Sequence, residues 1–337
     1  MEKGRLDYID VLRAFSMFLI VYSHLVHYGL QRNLSLFNGW TNTFMVPLFF
    51  FISGFVAYNA NRNFMEIIKK RLVKYYALCI SPLIFLLCYS FYRETDFFAS
   101  IGEPLKGGYW FTIVLFQISI IACVVNMSRH FYPNIIIRCC VTVLMMYGVY
   151  IISKYNRTTN ASNFTDYLSL MYVTYYFYYY MLGEICRQFL GKFHSLLSNS
   201  VCITIIFILS FVPLTDNQAI NYIPVTARVF LIYYMFYYFR TSFNRRVMCI
   251  LLYIGRHTLE IYFIHYFLLF RCHELIPVFT DRPIVEICVF STIAIVIMLT
   301  SCLIRKMLDV YKPIAKFLFV VKTEQTVTAN TAMLLQF

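Results

Sequence analysis

Long apolar runs separated by short polar breaks fill the chain from residue 8 to about residue 304. Ten of these runs approach the roughly 20 residues an α-helix needs to cross a bilayer: 8–28, 42–60, 73–92, 109–127, 135–153, 168–186, 200–214, 221–239, 250–270 and 284–304. The pattern predicts an all-α, polytopic membrane protein of about ten transmembrane helices. The runs leave no room for a separate soluble unit, so residues 1–305 are expected to form one transmembrane domain. Residues 306–337 begin "KMLDVYKPIAKFLFVVK", a basic and aromatic stretch expected to lie on the cytoplasmic membrane surface as a short tail. The first run departs from its own pattern. Its stretch "DVLRAFSMFLIVYSHLVHYG", residues 10–29, holds Asp10, Arg13, His24 and His27, although an arginine near mid-span costs about 2.5–3.5 kcal/mol on insertion scales.

Composition and charge sharpen this picture. The 337 residues are 60% hydrophobic and 13% charged, with a mean hydropathy of +0.66; soluble domains are about 45–50% apolar and about 25% charged. With the N-terminus placed inside, 19 of the Lys and Arg residues fall on inner segments and 7 on outer ones, which predicts an N-in and C-in topology by the positive-inside bias. The net charge of +13 is then an orientation signal, and no nucleic-acid partner is expected. The eleven cysteines include no C-x-x-C pair, so neither a metal site nor a disulfide framework is expected.

The polar residues inside the runs are the candidate chemistry. Arg13 and His24 are eleven residues apart, about 16 Å along a helix and about 20° from alignment, so they share a face, with Asp10 beside Arg13. That face is either a structural Arg–Asp pair with a separate hydrogen-bonded histidine, or one functional line of side chains. The ninth run, "GRHTLEIYFIHYFLLF" from Gly255, adds Tyr262 and His265. Counted from the inner ends of their runs, His265 lies about 22 Å up and His24 about 24 Å up. In "PLFFFISGFVAYN", Ser53 and Gly54 interrupt an aromatic run, where helices approach closely or backbone meets a ligand. Lys70, Arg71 and Lys74 in "NRNFMEIIKKRLVKYY" cluster at helical spacing, as a topology signal or as a phosphate site. Trp110 in "GGYWFTIVLFQ" sits where interfacial anchors occur. Glu184 and Arg228 are further charges with no partner assignable from sequence.

Taken in order, these pieces resemble the acyltransferase 3 family, membrane O-acyltransferases of surface polysaccharides. Arg13 to His24 matches its R-x10-H signature, and "FFISGF" at 50–55 resembles its F-x-x-S-G-F/Y element. "YWF" at 109–111 looks like its Trp-Phe-Leu position, and "GRHTLEIYFIH" at 255–265 resembles its late G-[KR]-x-S-x-x-I-Y-x-x-H element. The resemblance runs from Asp7 to about Arg305. Three departures stand out: the basic R-x-x-R element is Arg71-x-x-Lys74, Thr112 replaces leucine, and Thr258 replaces serine.

The resemblance implies transfer of an acyl group, acetyl in the simplest case, from cytoplasmic acyl-CoA to a hydroxyl of a cell-surface or lipid-linked glycan. It implies a multi-pass enzyme of the bacterial inner membrane, with acetyl-CoA as a substrate and no tightly bound cofactor or metal. His24 would be the general base, or in a variant the acyl carrier, and Arg13 would orient the donor. Lys70, Arg71 and Lys74 would hold the CoA phosphates, while Asp10, Ser53, Gly54, Trp110, Tyr262 and His265 would contact substrate. A polysaccharide flippase or exporter, needing no Arg–His face and no acyl donor, is the competing class. A glycan polymerase would need a larger outer loop.

Overall fold

The computed structural model describes residues 6–30, 36–58, 64–131, 135–158, 164–242, 244–271, 282–311 and 318–319, with backbone alone over 64–78 and at 30, 36, 127–131, 135–136, 138–139, 153, 155–158, 164 and 218. Every regular element among the described residues is helical. Among the described residues, four stretches are long and apolar enough to cross a membrane: Asp7–Gly29, Phe37–Ala57, Ala219–Thr241 and Pro283–Val310. The number rises to six when each of two sharply bent helix pairs is taken as one span. Shorter apolar helices occupy Cys79–Arg93, Trp110–Asn126 and Cys140–Ile152.

Helix α1 (Asp7–Leu30) is the hub. It packs against α2 (Leu36–Asn42), α3 (Met45–Ala57), α12 (Gln218–Tyr238), α13 (Arg245–Arg256), α14 (Thr258–Leu268) and α15 (Pro283–Val310). A helix with apolar residues all round belongs in the interior, and Leu12, Met17, Leu19, Val21, Leu25 and Val26 are all fully buried. Its few polar groups therefore need partners supplied by neighbouring helices. Around it stand α4 (Phe64–Arg93), α5 (Phe97–Gly102), α6 (Trp110–Phe131), α7 (Ile135–Thr158), α8 (Phe164–Tyr167), α9 (Leu170–Gln188), α10 (Leu190–Ser198) and α11 (Ser200–Ser210).

Glycines set the closest crossings. A Cβ added at Gly54 of α3 would overlap the Tyr180 carbonyl of α9, and one at Gly183 of α9 would overlap the Phe51 carbonyl of α3. Small residues let helix backbones meet in this way. Likewise α13 reaches α1 at Gly255, against the Asp10 carbonyl.

Two expected spans are broken. The run 250–270 is α13 and α14 meeting at an 82° bend at His257, and the run 200–214 is the eleven-residue α11, bent 82° from α10. Physical causes are visible at both breaks. Helix α13 is only twelve residues long and opens with Arg245 and Arg246, too short to cross a bilayer without a continuation. At the second break, the Asn199 side chain accepts hydrogen bonds from the Val201 and Cys202 N–H groups, starting α11 afresh. Beyond residue 305, α15 continues to Val310. Phe319 then packs 5.7 Å from the Phe85 ring, under the Arg305 guanidinium at 4.7 Å. Residues 312–317 and 320–337 of the expected tail lie outside the described residues.

Candidate active site

The two intramembrane histidines meet. His24 Nδ1 of α1 and His265 Nε2 of α14 are 2.9 Å apart, and His265 Nδ1 is 3.1 Å from the Ile261 carbonyl oxygen. A carbonyl only accepts, so His265 Nδ1–H donates to Ile261. Neutral His265 then has an unprotonated Nε2, which accepts from His24 Nδ1–H. His24 is left with its own Nε2 bare, a lone pair held in a fixed direction. His265 is wholly buried, whereas His24 keeps partial exposure. The tautomers follow from one backbone carbonyl, which exists because α14 is helical and His265 sits four residues after Ile261.

A tight turn from the loop before α6 closes on this pair. Tyr262 OH donates to the Gly108 carbonyl, and Tyr266 OH donates to the same oxygen at 3.2 Å. Tyr109 OH in turn donates to the Phe263 carbonyl at 3.1 Å. The Tyr266 ring lies 5.1 Å from His24 and 4.1 Å from His265, centroid to centroid. Gly108 has φ +105°, and a Cβ there would run into the Tyr266 ring, so the position admits only glycine. Lys106 anchors the turn from beneath. It is 1% exposed, and its Nζ donates to the Ile101, Glu103 and Asp166 carbonyls at 2.9, 3.2 and 2.9 Å. Burial pushes its pKa down to about 8, partly opposed by the Asp166 charge, so at neutral pH it remains an ammonium able to make all three bonds.

A second polar cluster lies at the other end of α1. Arg13 Nη1 is 3.4 Å from Asp10 Oδ1, and Arg256 Nε is 3.8 Å from Asp10 Oδ2. Asp10 is buried, while the arginine side chains are 24% and 32% exposed. One carboxylate thus holds two guanidinium groups at a partly open position, and guanidinium forks suit anionic ligands. Nearby, Glu260 lies 3.4 Å from His257 and 3.6 Å from Arg305.

The remaining predicted site residues are placed elsewhere. Ser53 Oγ–H donates back to the Phe49 carbonyl at 2.8 Å, and Gly54 faces α9; close helix packing, one of the two open readings, accounts for both. Trp110 does not touch the histidines: its ring lies 4.4 Å from Tyr172 and 5.5 Å from Tyr176. Its neighbour Phe111 lies 5.6 Å from Tyr262 instead. Lys70, Arg71 and Lys74 fall on α4, and their side chains lie outside the described residues. The two charges that lacked partners have structural ones. Arg228 donates to the Ser210 and Val212 carbonyls, both at 2.8 Å, and to Thr43 Oγ1 at 2.6 Å, holding the end of α11. Glu184 accepts from Asn126 Nδ2 at 3.1 Å.

Four contributors were not picked out from sequence: Lys106, Gly108, Arg256 and Tyr266. Tyr266 adjoins His265, Gly108 belongs to a Gly-Gly pair before Trp110, and Arg256 is the basic residue of the late element. Only Arg256 carried a motif signal.

Comparison with known proteins gives one match. A family model described as an acyltransferase domain matches residues 6–306. No curated protein and no solved structure matches the chain.

Proposed function

This chain belongs to the acyltransferase 3 family, and from that premise we propose that it carries an acyl group, acetyl in the simplest case, from cytoplasmic acyl-CoA to a glycan hydroxyl on the opposite side of the membrane. The bare Nε2 of His24, oriented through His265 by the Ile261 carbonyl, is the observation that supports this reading most strongly. In the reaction the acceptor hydroxyl gives its proton to His24 Nε2 as its oxygen bonds to the thioester carbonyl carbon. The carbon–sulfur bond then breaks. The CoA sulfur takes the proton back from Nε2, leaving the ester, free CoA thiol and a neutral His24. While His24 is charged, its Nδ1–H still donates to neutral His265, so no second proton moves.

Arg13 and Arg256, gathered by Asp10, orient the anionic donor on the inner side, and Lys70, Arg71 and Lys74 add phosphate contacts. The full reading includes about ten spans with both termini in the cytoplasm, a transmembrane domain over 1–305 with a short tail, and a place in a bacterial inner membrane. Its test is acetyl-CoA turnover by the purified full chain with surface glycan. Release of CoA thiol together with glycan O-acetyl groups is expected. An exporter would bind or move glycan with no acyl-CoA turnover, and that result would overturn the reading.

A further inference from the structure

One cavity lies directly beyond the histidines, at the ends of α1, α4 and α14. It has a volume of about 210 Å³ and is walled by Tyr28, Tyr89, Arg93, Thr95, Leu269, Phe270 and Arg271. A single aromatic layer separates it from the reacting pair. Tyr28 lies 6.1 Å from His24 and 6.3 Å from Tyr266, while Tyr89 lies 6.0 Å from Tyr266, all centroid to centroid. The volume is below the roughly 300–1,000 Å³ of clefts that take drug-sized ligands, so it suits one sugar ring rather than an oligosaccharide.

The charge of this cavity is its distinguishing feature. Two of its seven lining residues are arginines and, among the described residues, none is acidic; Glu103 acts on Tyr28 from nearby. Arg93 is held in place rather than free to swing. Its Nη2 donates to the Leu269 carbonyl at 2.9 Å, and its guanidinium carbon lies 5.6 and 5.3 Å from the Tyr89 and Tyr92 ring centroids. Among the described residues its buried Nε–H has no acceptor. A fixed, partly desolvated guanidinium and a second arginine lining one cavity with aromatic walls suit a carboxylate or phosphate with a sugar ring behind it.

We propose that this cavity binds an acidic sugar of the acceptor, a glycosyl unit bearing a carboxylate or phosphate, so that the glycan acylated at His24 is anionic. The proposal rests on the acyl-transfer reading for the role of the bound sugar, but not for the binding itself. The ring would stack against Tyr28 and Tyr89 with its acid group toward Arg93 and Arg271. Its hydroxyls would then lie on the side of Tyr266 and His24.

The test is equilibrium binding to the full chain in nanodiscs of zwitterionic lipid, at low salt and without acyl-CoA. The probes are methyl glucuronide and methyl glucoside 6-phosphate, with methyl glucoside as the neutral twin and inorganic phosphate as the bare anion. At least one acidic sugar should bind about tenfold or more tighter than the neutral twin, as charge-assisted hydrogen bonds allow. That advantage should vanish in Arg93→Gln and in Arg271→Gln; Arg271 is exposed, so its variant tests the claim even if Arg93→Gln fails to fold. Equal affinities for acidic and neutral sugars would overturn the proposal. So would an advantage that survives both substitutions, or inorganic phosphate binding as tightly as the acidic sugar, which would mark a lone-anion or lipid-headgroup site. Acyl transfer is not read in this experiment. An inactive protein that still prefers acidic sugars would contradict the catalytic reading alone, and an active one without the preference would contradict only the acceptor class.

Discussion

The Ile261 carbonyl determines where two protons sit in succession, first on His265 Nδ1 and then on His24 Nδ1. Substitution at His265 can separate this positioning role from simple packing. Glutamine can accept from His24 Nδ1–H through its side-chain oxygen and donate to Ile261 through its amide; leucine fills the space and does neither. His265→Leu is therefore expected to lower kcat by about 10²-fold, the lower end of what a general base contributes, while His265→Gln recovers much of the loss. Acyl-CoA binding should be the same in both, and equal rates would make His265 a packing residue. At the other end of α1, Arg13→Lys keeps a charge beside Asp10 but loses the planar fork. The variant should reach normal membrane levels and show a raised acyl-CoA KM. An unchanged KM would return Arg13 to a purely structural pairing with Asp10.

Among the elements, two kinds of glycine make a contrast that experiment can read. Gly183 lies where α9 meets the α3 backbone, and Gly108 lies where a short turn meets a side chain of α14. In Gly183→Ala the new methyl meets backbone that cannot yield, so folded yield should fall. In Gly108→Ala the methyl and the unfavourable φ displace the turn from Tyr266, so kcat should fall at near-normal yield. Detergent-stable yield and initial rate, measured together, separate the two; a normal rate in Gly108→Ala would detach the turn from the active site. The same contrast explains what the sequence could and could not disclose. Helical arithmetic on α1 placed Arg13 and His24 on one face, because that depends only on rise and rotation per residue. The depth count for His265 assumed a straight helix over 250–270, so the contact between the two histidines did not follow from it. The 82° bend before α14 was hidden, since an apolar count over 250–270 does not register a change of direction. The partnership of Gly108 with Tyr262 and Tyr266 spans more than 150 positions and leaves no local periodicity. For Gly54 both a packing and a ligand role were open, and the close approach of the α9 backbone could not be read from its own run.

At the scale of the whole molecule, α1 carries one polar cluster near each end, about 16 Å apart along its axis, with apolar packing between and around them. Such a helix connects a donor side and an acceptor side only if the chain is oriented as its Lys and Arg distribution predicts. That orientation puts Glu103 outside and Lys192 inside. In a cysteine-free background, an impermeant maleimide applied to intact cells should label Glu103→Cys and leave Lys192→Cys unlabelled; the reverse pattern would invert the direction of transfer. The account as a whole depends on His24 Nε2 taking the proton of the acceptor hydroxyl. The most direct measurement is the rate of glycan acylation by His24→Ala at matched membrane levels, with acyl-CoA binding followed in parallel. The account predicts a fall of about 10²–10⁴-fold with donor binding intact, because the donor's anionic groups are held at the opposite end of α1. Retention of the parent rate by His24→Ala would contradict it.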